Sequence, residues 1–267
     1  MKGKIFVTFG NKRESGMKKI LLITLFILSC EDSPIIDTNK NTYYDDIADI
    51  TYLNGYFFST NYDLSTNAGS QIDLLTFEMN SDSVYYIADN FDLGMNGQGY
   101  LAITNDGTDL YLQSKNSFLI IKCSSIGEKA FTRWDTITVN WQPAGLAYQS
   151  ENDSLLALYR NLDTLNQYRV RTISKDLSIE SSKDRIFQLG FIDTTSYGVY
   201  TLAYNSFSFY MLGVDTTMND ILIILDNELI ITEIDTLLDS TVVGLCFKQN
   251  DLYLSYRDKR IEKWKSY

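Results

Sequence analysis

The 267-residue sequence has no histidine, two prolines and three cysteines. Without an imidazole there is no Ser-His-Asp or Cys-His nucleophile system and no His-ligated metal. Cys123 and Cys246, the two thiols beyond Cys30, are too scattered to build a four-ligand zinc site. A glycine-rich phosphate loop is missing as well. No cofactor and no metal are expected. Long apolar faces of helical period are also missing, so little helix is expected. The chemistry left open is that of carboxylates, of oxygen-ligated calcium, or of binding without catalysis.

The first apolar run, Ile20 to Leu28, is interrupted only by Thr24. It is too short for a span, which needs about 20 apolar residues. Lys18 and Lys19 precede it, and Ser29-Cys30 follow. A charged start, a short apolar core and a small residue before the cut are the layout of a secretory signal peptide. The tail Ile27-Leu28-Ser29-Cys30 resembles the lipobox of bacterial lipoproteins, with Leu28 where a small residue is commoner. That resemblance implies cleavage before Cys30 and lipidation of its thiol. Glu31 and Asp32 resemble the surface-export signal of lipoproteins in the Bacteroidetes group. Residues 1–29 are therefore read as an upstream extension (1–16) and a signal peptide, 30–41 as an acidic tether, and 42–267 as one domain. The implied location is the cell envelope, as an outer-membrane lipoprotein on its periplasmic or surface side. Its membrane partner is reached through the lipid, since acyl chains contribute about 0.8 kcal/mol per buried methylene.

The whole chain carries a net charge of −11, and removal of residues 1–29 leaves 17 basic and 33 acidic residues, near −16. Such a surface repels phosphate backbones, so nucleic acid is set aside as a partner. Cys123 and Cys246 lie inside apolar, strand-like runs and read as small buried hydrophobes.

The rest is built of short runs rich in Tyr, Phe, Ile, Leu, Val and Thr, separated by Asn, Asp, Gly and Ser, the pattern of many strands joined by turns. One unit recurs: apolar, small, large, then a turn and a second strand. It begins at Ile50-Thr51-Tyr52, Leu101-Ala102-Ile103, Leu146-Ala147-Tyr148, Leu202-Ala203-Tyr204 and Leu245-Cys246-Phe247, with third residues 51, 45, 56 and 43 positions apart. Two more strand-like runs follow each hairpin, Leu177–Gln188 and Leu229–Ile234 among them; only Arg260–Lys265 follows the fifth. Four strands at a period of 40 to 50 residues mark a β-propeller blade. The fold class is all-β: a five-bladed β-propeller of four-stranded blades, with the N-terminal run Thr42–Ile47 closing the short last blade. The alternatives are a six-bladed ring and a β-sandwich or irregular solenoid.

The segments "GLAYQSENDSLLALYR" and "VGLCFKQNDLYLSYRDKRIEKW" resemble propeller repeats of the NHL, lactonase-like and glutaminyl-cyclotransferase-like families. The resemblance implies a propeller and no particular activity.

Candidate site residues follow from that architecture. Loops entering the inner strands line the channel mouth of a propeller. They carry Gln98, Tyr100, Trp141, Gln142, Tyr197 and Thr241, with Asp49 from the first blade. Aromatic faces beside amides and a carboxylate suit a glycan or a peptide, and an envelope protein is a further candidate partner. "ADITYLNGYFFST" faintly resembles the first-blade segment of five-bladed arabinanase-type glycosidases. That likeness would make Asp49 a general base, but Ile50 stands where the family has Pro, and the second and third acids are missing. "NDGTD" (Asn105–Asp109) reads as a hairpin turn, since it lacks the alternating ligands of a calcium loop. The preferred reading is a lipid-anchored module that binds or scaffolds a ligand or partner. A carboxylate-dependent glycosidase or lyase-like enzyme is the alternative.

Overall fold

A computed structural model describes residues 46–62, 73–79, 85–92, 100–114, 120–125, 128–134, 140–177, 183–193, 198–238, 241–257 and 260–264. They form nineteen strands in five antiparallel meanders. Blade 1 comprises β1 (Asp46–Leu53), β2 (Tyr56–Tyr62), β3 (Asp73–Met79) and β4 (Tyr85–Asp92). Blade 2 comprises β5 (Tyr100–Asn105), β6 (Leu110–Ser114), β7 (Ile120–Ser125) and β8 (Glu128–Trp134). Blade 3 holds β9 (Trp141–Gln149), β10 (Ser154–Asn161), β11 (Gln167–Ser174) and β12 (Lys183–Gln188). Blade 4 holds β13 (Val199–Tyr204), β14 (Ser208–Val214), β15 (Asp220–Asp226) and β16 (Ile231–Thr236). Blade 5 has β17 (Val242–Lys248), β18 (Asp251–Tyr256) and β19 (Ile261–Lys263). The one helical turn among the described residues is a 3₁₀ turn, Ser150–Asn152.

The blades close into a ring. Inner strands meet in the order β1–β5–β9–β13–β17, and β17 returns to β1. The apolar core is divided accordingly into five clusters, each between two consecutive blades. Leu53 and Phe58 meet Ile103, Leu112 and Cys123 between blades 1 and 2. Tyr111 and Ile120 meet Leu146, Leu155 and Tyr159 between blades 2 and 3. The largest cluster joins Leu156, Tyr168 and Val170 to Leu202, Phe209 and Met211, between blades 3 and 4. Ala203, Leu212 and Leu222 meet Leu245, Leu252 and Leu254 between blades 4 and 5. The last joins Ile50 and Phe57 to Cys246, Tyr253 and Ile261, blade 1 to blade 5. A closed ring leaves no inner sheet edge to aggregate.

The repeat was phased correctly in four blades and displaced by two residues in blade 2. There the strand runs on to Asn105, which pairs with Leu110, and the turn is Asp106–Asp109. The unit equivalent to Ile50-Thr51-Tyr52 is thus Ile103-Thr104-Asn105. A two-residue slip keeps every side chain on its face, so alternation alone does not reveal it. Leu177 and Leu229, expected to begin strands, instead sit in turns at φ of 58° and 65°. Their N–H groups bond back to the carbonyls of Ser174 and Asp226. Asp46 and Ile47, expected in a closing strand, pair with Tyr62 and Asn61 inside blade 1. The remainder of that run, 42–45, lies outside the described residues, as do Cys30 and the whole leader and tether.

Candidate functional site

Each inner strand has a β-bulge two residues before its first cavity-lining residue, at the same place in every blade. The register skips Ala48, Leu101, Ala144, Tyr200 and Val243. A bulge bends its strand and raises its twist. The residues after the five bulges are Asp49, Ala102, Gly145, Thr201 and Gly244, all buried. Two have no side chain because neighbouring backbone occupies the space. A Cβ on Gly244 would stand 2.7 Å from the Asp49 Cα, and one on Gly145 would stand 2.7 Å from the Leu202 nitrogen. Into this crowded layer one carboxylate is placed.

Asp49 is 1 % exposed. Its Oδ1 accepts the Thr201 hydroxyl at 3.0 Å and the Leu245 N–H at 3.3 Å. Its Oδ2 accepts the Ile103 N–H at 3.3 Å. One side chain of blade 1 thereby ties itself to blades 2, 4 and 5. Burial pushes the carboxyl up to about 8; the N–H groups of Ile103 and Ile50, the Thr201 hydroxyl and the Leu245 N–H pull it the other way.

Beyond this layer the channel opens into a cavity of about 540 Å³ at the hairpin ends of the inner strands. Its wall is five copies of one unit: Ile50-Thr51-Tyr52, Ile103-Thr104-Asn105, Leu146-Ala147-Tyr148, Leu202-Ala203-Tyr204 and Leu245-Cys246-Phe247. The rim comes from the turns, with Ser150, Asn205, Ser206, Phe207, Gln249 and Asn250. Among the described residues, not one that lines it is an acid or a base, although the chain has 34 acidic and 23 basic residues. The volume lies within the range of small-ligand sites, which are largely apolar with a few placed polar groups.

Several wall groups are held rigidly. The Asn105 amide donates to Thr51 Oγ1 at 2.6 Å and to the Tyr52 carbonyl at 3.0 Å, joining blades 2 and 1. The Tyr148 hydroxyl donates to Asp153 at 2.6 Å. The Tyr204 hydroxyl accepts from the Gln149 amide at 3.4 Å and donates to Asn227 at 3.0 Å. The turn that presents Phe207 is braced by Asn205, whose Oδ1 accepts the N–H groups of Phe207 and Ser208 at 3.2 and 3.0 Å. Phe207 itself is 76 % exposed.

None of the described residues among those expected to form the site lines this cavity. Asp49 lies in the axial layer, immediately before the wall residue Ile50, and is not part of the cavity lining. Trp141 and Gln142 open β9, at the opposite end from the cavity. The Arg169 guanidinium lies 4.4 Å from the Trp141 ring centre, and the Gln142 Oε1 accepts from Arg160 at 2.6 Å. Trp141 also packs against the core between blades 2 and 3. Tyr100 opens β5 opposite Ser114. Thr241 is half-buried just before β17, where its carbonyl accepts the Arg257 N–H at 2.9 Å. Gln98 and Tyr197 lie outside the described residues. In the hairpin "NDGTD", Asp106 Oδ1 accepts the N–H groups of Thr108 and Asp109, and Asp109 pairs with Lys122 at 2.9 Å. Among the described residues no three metal-ligating side chains converge.

The hairpin-end aromatics, Tyr52, Tyr148, Tyr204, Phe207 and Phe247, were not singled out from the sequence. The signal was there in the third residue of each repeated unit, which is large or aromatic. By itself it marks no site, because nothing in a linear pattern tells which end of a channel is open.

No family model matches the chain, and no curated protein matches its sequence. Among solved structures, it superposes on the glutaminyl cyclase of Myxococcus xanthus with a TM-score of 0.57 at 12 % identity, over 83 % of this chain and 92 % of that one. A GH43_1 enzyme from Xanthomonas citri gives 0.48 at 12 %, over 80 % and 81 % of the two chains. A nidogen/laminin complex gives 0.44 at 11 %, over 71 % and 83 %. At such identities the likeness to the cyclase shows the fold alone. The chain is a β-propeller, and its five blades are read from its own sheets.

Proposed function

We propose that the protein is a capture module of the cell envelope: Cys30, acylated, holds it at the outer membrane, and the hairpin-end cavity takes an uncharged ligand. The observation that carries this reading is that the described wall residues bear no formal charge in a chain rich in charge. An ionic ligand would find no counter-ion there. A ligand with apolar faces and hydroxyl or amide groups would find rings, amides and hydroxyls. The carboxylate-dependent alternative needs two acids facing one bond. Among the described residues this cavity's lining supplies none, and both oxygens of Asp49 already accept hydrogen bonds.

The anchor rests on the sequence from Ile20 to Cys30. Its test is the intact mass of the protein made from its own start in a bacterial host, for wild type and Cys30→Ala. A mass of residues 30–267 plus acyl chains, lost in the variant, supports the anchor. An unlipidated chain that keeps its N-terminus refutes it.

A further inference from the structure

Resting on that reading of the cavity, we infer that its ligand is a neutral oligosaccharide, stacked on Phe207 at the rim with its hydroxyls directed to the turn side chains. Three observations converge. The first is Phe207 itself. An aromatic ring that is 76 % exposed forgoes its own burial. Here it is also held still, because Asn205 fixes the turn from within and Ser206 takes a φ of 75° to make it. A rigid, exposed ring on the lip of a cavity is a ready platform for the C–H face of a pyranose or furanose.

The second is the supply of polar groups. Ser150, Ser206, Gln249 and Asn250 stand on the same rim, and none of their side chains is hydrogen-bonded within the described structure. Together they offer hydroxyl and amide groups that both donate and accept, as a sugar hydroxyl does. Deeper wall groups such as Asn105 and Tyr204 are already committed, so they give shape, not adaptable contacts.

The third is shape. A peptide is usually captured along a straight strand edge, in a groove for a helix, or by charged pockets at its termini or acidic groups. This site is a bowl walled by short units from five blades, with no charge among its described lining residues. It suits a compact, uncharged polyol better than an extended chain.

The test is calorimetry or saturation-transfer NMR on the soluble domain with Cys30 replaced, or on the acylated chain in detergent. Probes are neutral oligosaccharides of hexoses and pentoses, an acidic oligouronate, and an uncharged capped peptide. Two variants act on exposed rim positions outside the core: Phe207→Ala removes the platform, and Ser150→Trp fills the mouth. Leu238→Ala, fully exposed and absent from the lining, serves as control. The expectation is binding of at least one neutral oligosaccharide in the micromolar to millimolar range, weakened about tenfold or more by either variant and unchanged in the control. Binding of the capped peptide alone, abolished by Ser150→Trp, would overturn the oligosaccharide inference and leave the uncharged-ligand reading standing; binding of the oligouronate alone, abolished by the same variant, would overturn both and leave only the cavity as the site. Binding of any probe that neither variant alters, or no binding of any, would overturn the inference together with the cavity reading.

Discussion

The Thr201 hydroxyl donates to Asp49 Oδ1 at 3.0 Å across 152 positions of sequence. No other contact says more about how the ring is built. Asp49 and Thr201 are the same position of the repeat in blades 1 and 4. They meet because the equivalent residues of blades 3 and 5 are Gly145 and Gly244, which leave the axis free for one carboxylate. The layer ends the channel, and the cavity begins beyond it.

Loss of that carboxylate should loosen the whole ring. Asp49→Ala leaves two backbone N–H groups and a hydroxyl without their acceptor, each costing about 1–3 kcal/mol when buried. With three such groups, unfolding in urea should show a loss of about 3 kcal/mol or more, while Thr201→Val should cost about 1 kcal/mol.

Stability should depend on pH through Asp49. The carboxyl is raised from 3.8 to about 8 by burial. Between those values the native protein holds a proton that the unfolded chain has released, so this contribution is fully present below about 4 and falls as pH rises towards 8. Asp49→Asn cannot titrate. The stability of wild type relative to Asp49→Asn should therefore decline from pH 4 to pH 8 and level off above. A difference that stays flat across that window would contradict the assignment.

The two axial glycines should resist substitution where an unconfined glycine such as Gly190 does not. Gly244→Ala drives a Cβ to 2.7 Å from both the Asp49 Cα and Ser255 Oγ. Backbone there cannot move without parting the blades, so thermal unfolding should report a loss of about 1–3 kcal/mol. Gly190→Ala meets nothing within 4 Å and should be nearly silent.

Cys123 and Cys246 should be slow to react. Both thiols are free and buried, in the interfaces between blades 1 and 2 and between blades 5 and 1. Burial pushes the Cys123 thiol up to about 12 and that of Cys246 well above its usual value. In a Cys30→Ala chain, a thiol reagent at neutral pH should modify neither until denaturant opens the ring.

Much of this architecture could be read in the sequence because a propeller repeats itself. The apolar-small-large unit and the turn residues after it located five hairpins, and the count of strand-like runs gave four per blade with a short last one. What could not be read was relational. Asp49 was singled out for its place at an inner strand, but its acceptor role depends on residues 54, 152 and 196 positions away. The two-residue slip in blade 2 escaped because alternation is blind to it. Trp141 was assigned to the channel mouth, yet the buried Arg169 beside it makes it a stacking partner within the blade. The cavity escaped because its wall is assembled from one short unit of each of five blades, and its rim from turns that meet only when the ring closes.

The claim that blades 1, 2, 4 and 5 are tied through one carboxyl group is tested most directly by a double-mutant cycle on Asp49→Ala and Thr201→Val, read by equilibrium unfolding in urea. The account predicts coupling: the double variant should lose about 1 kcal/mol or more less than the sum of the singles, since each substitution removes the same bond between blades 1 and 4. Losses that add within about 0.3–0.5 kcal/mol would mean that the two residues do not meet across the axis. The axial layer would then have to be drawn again.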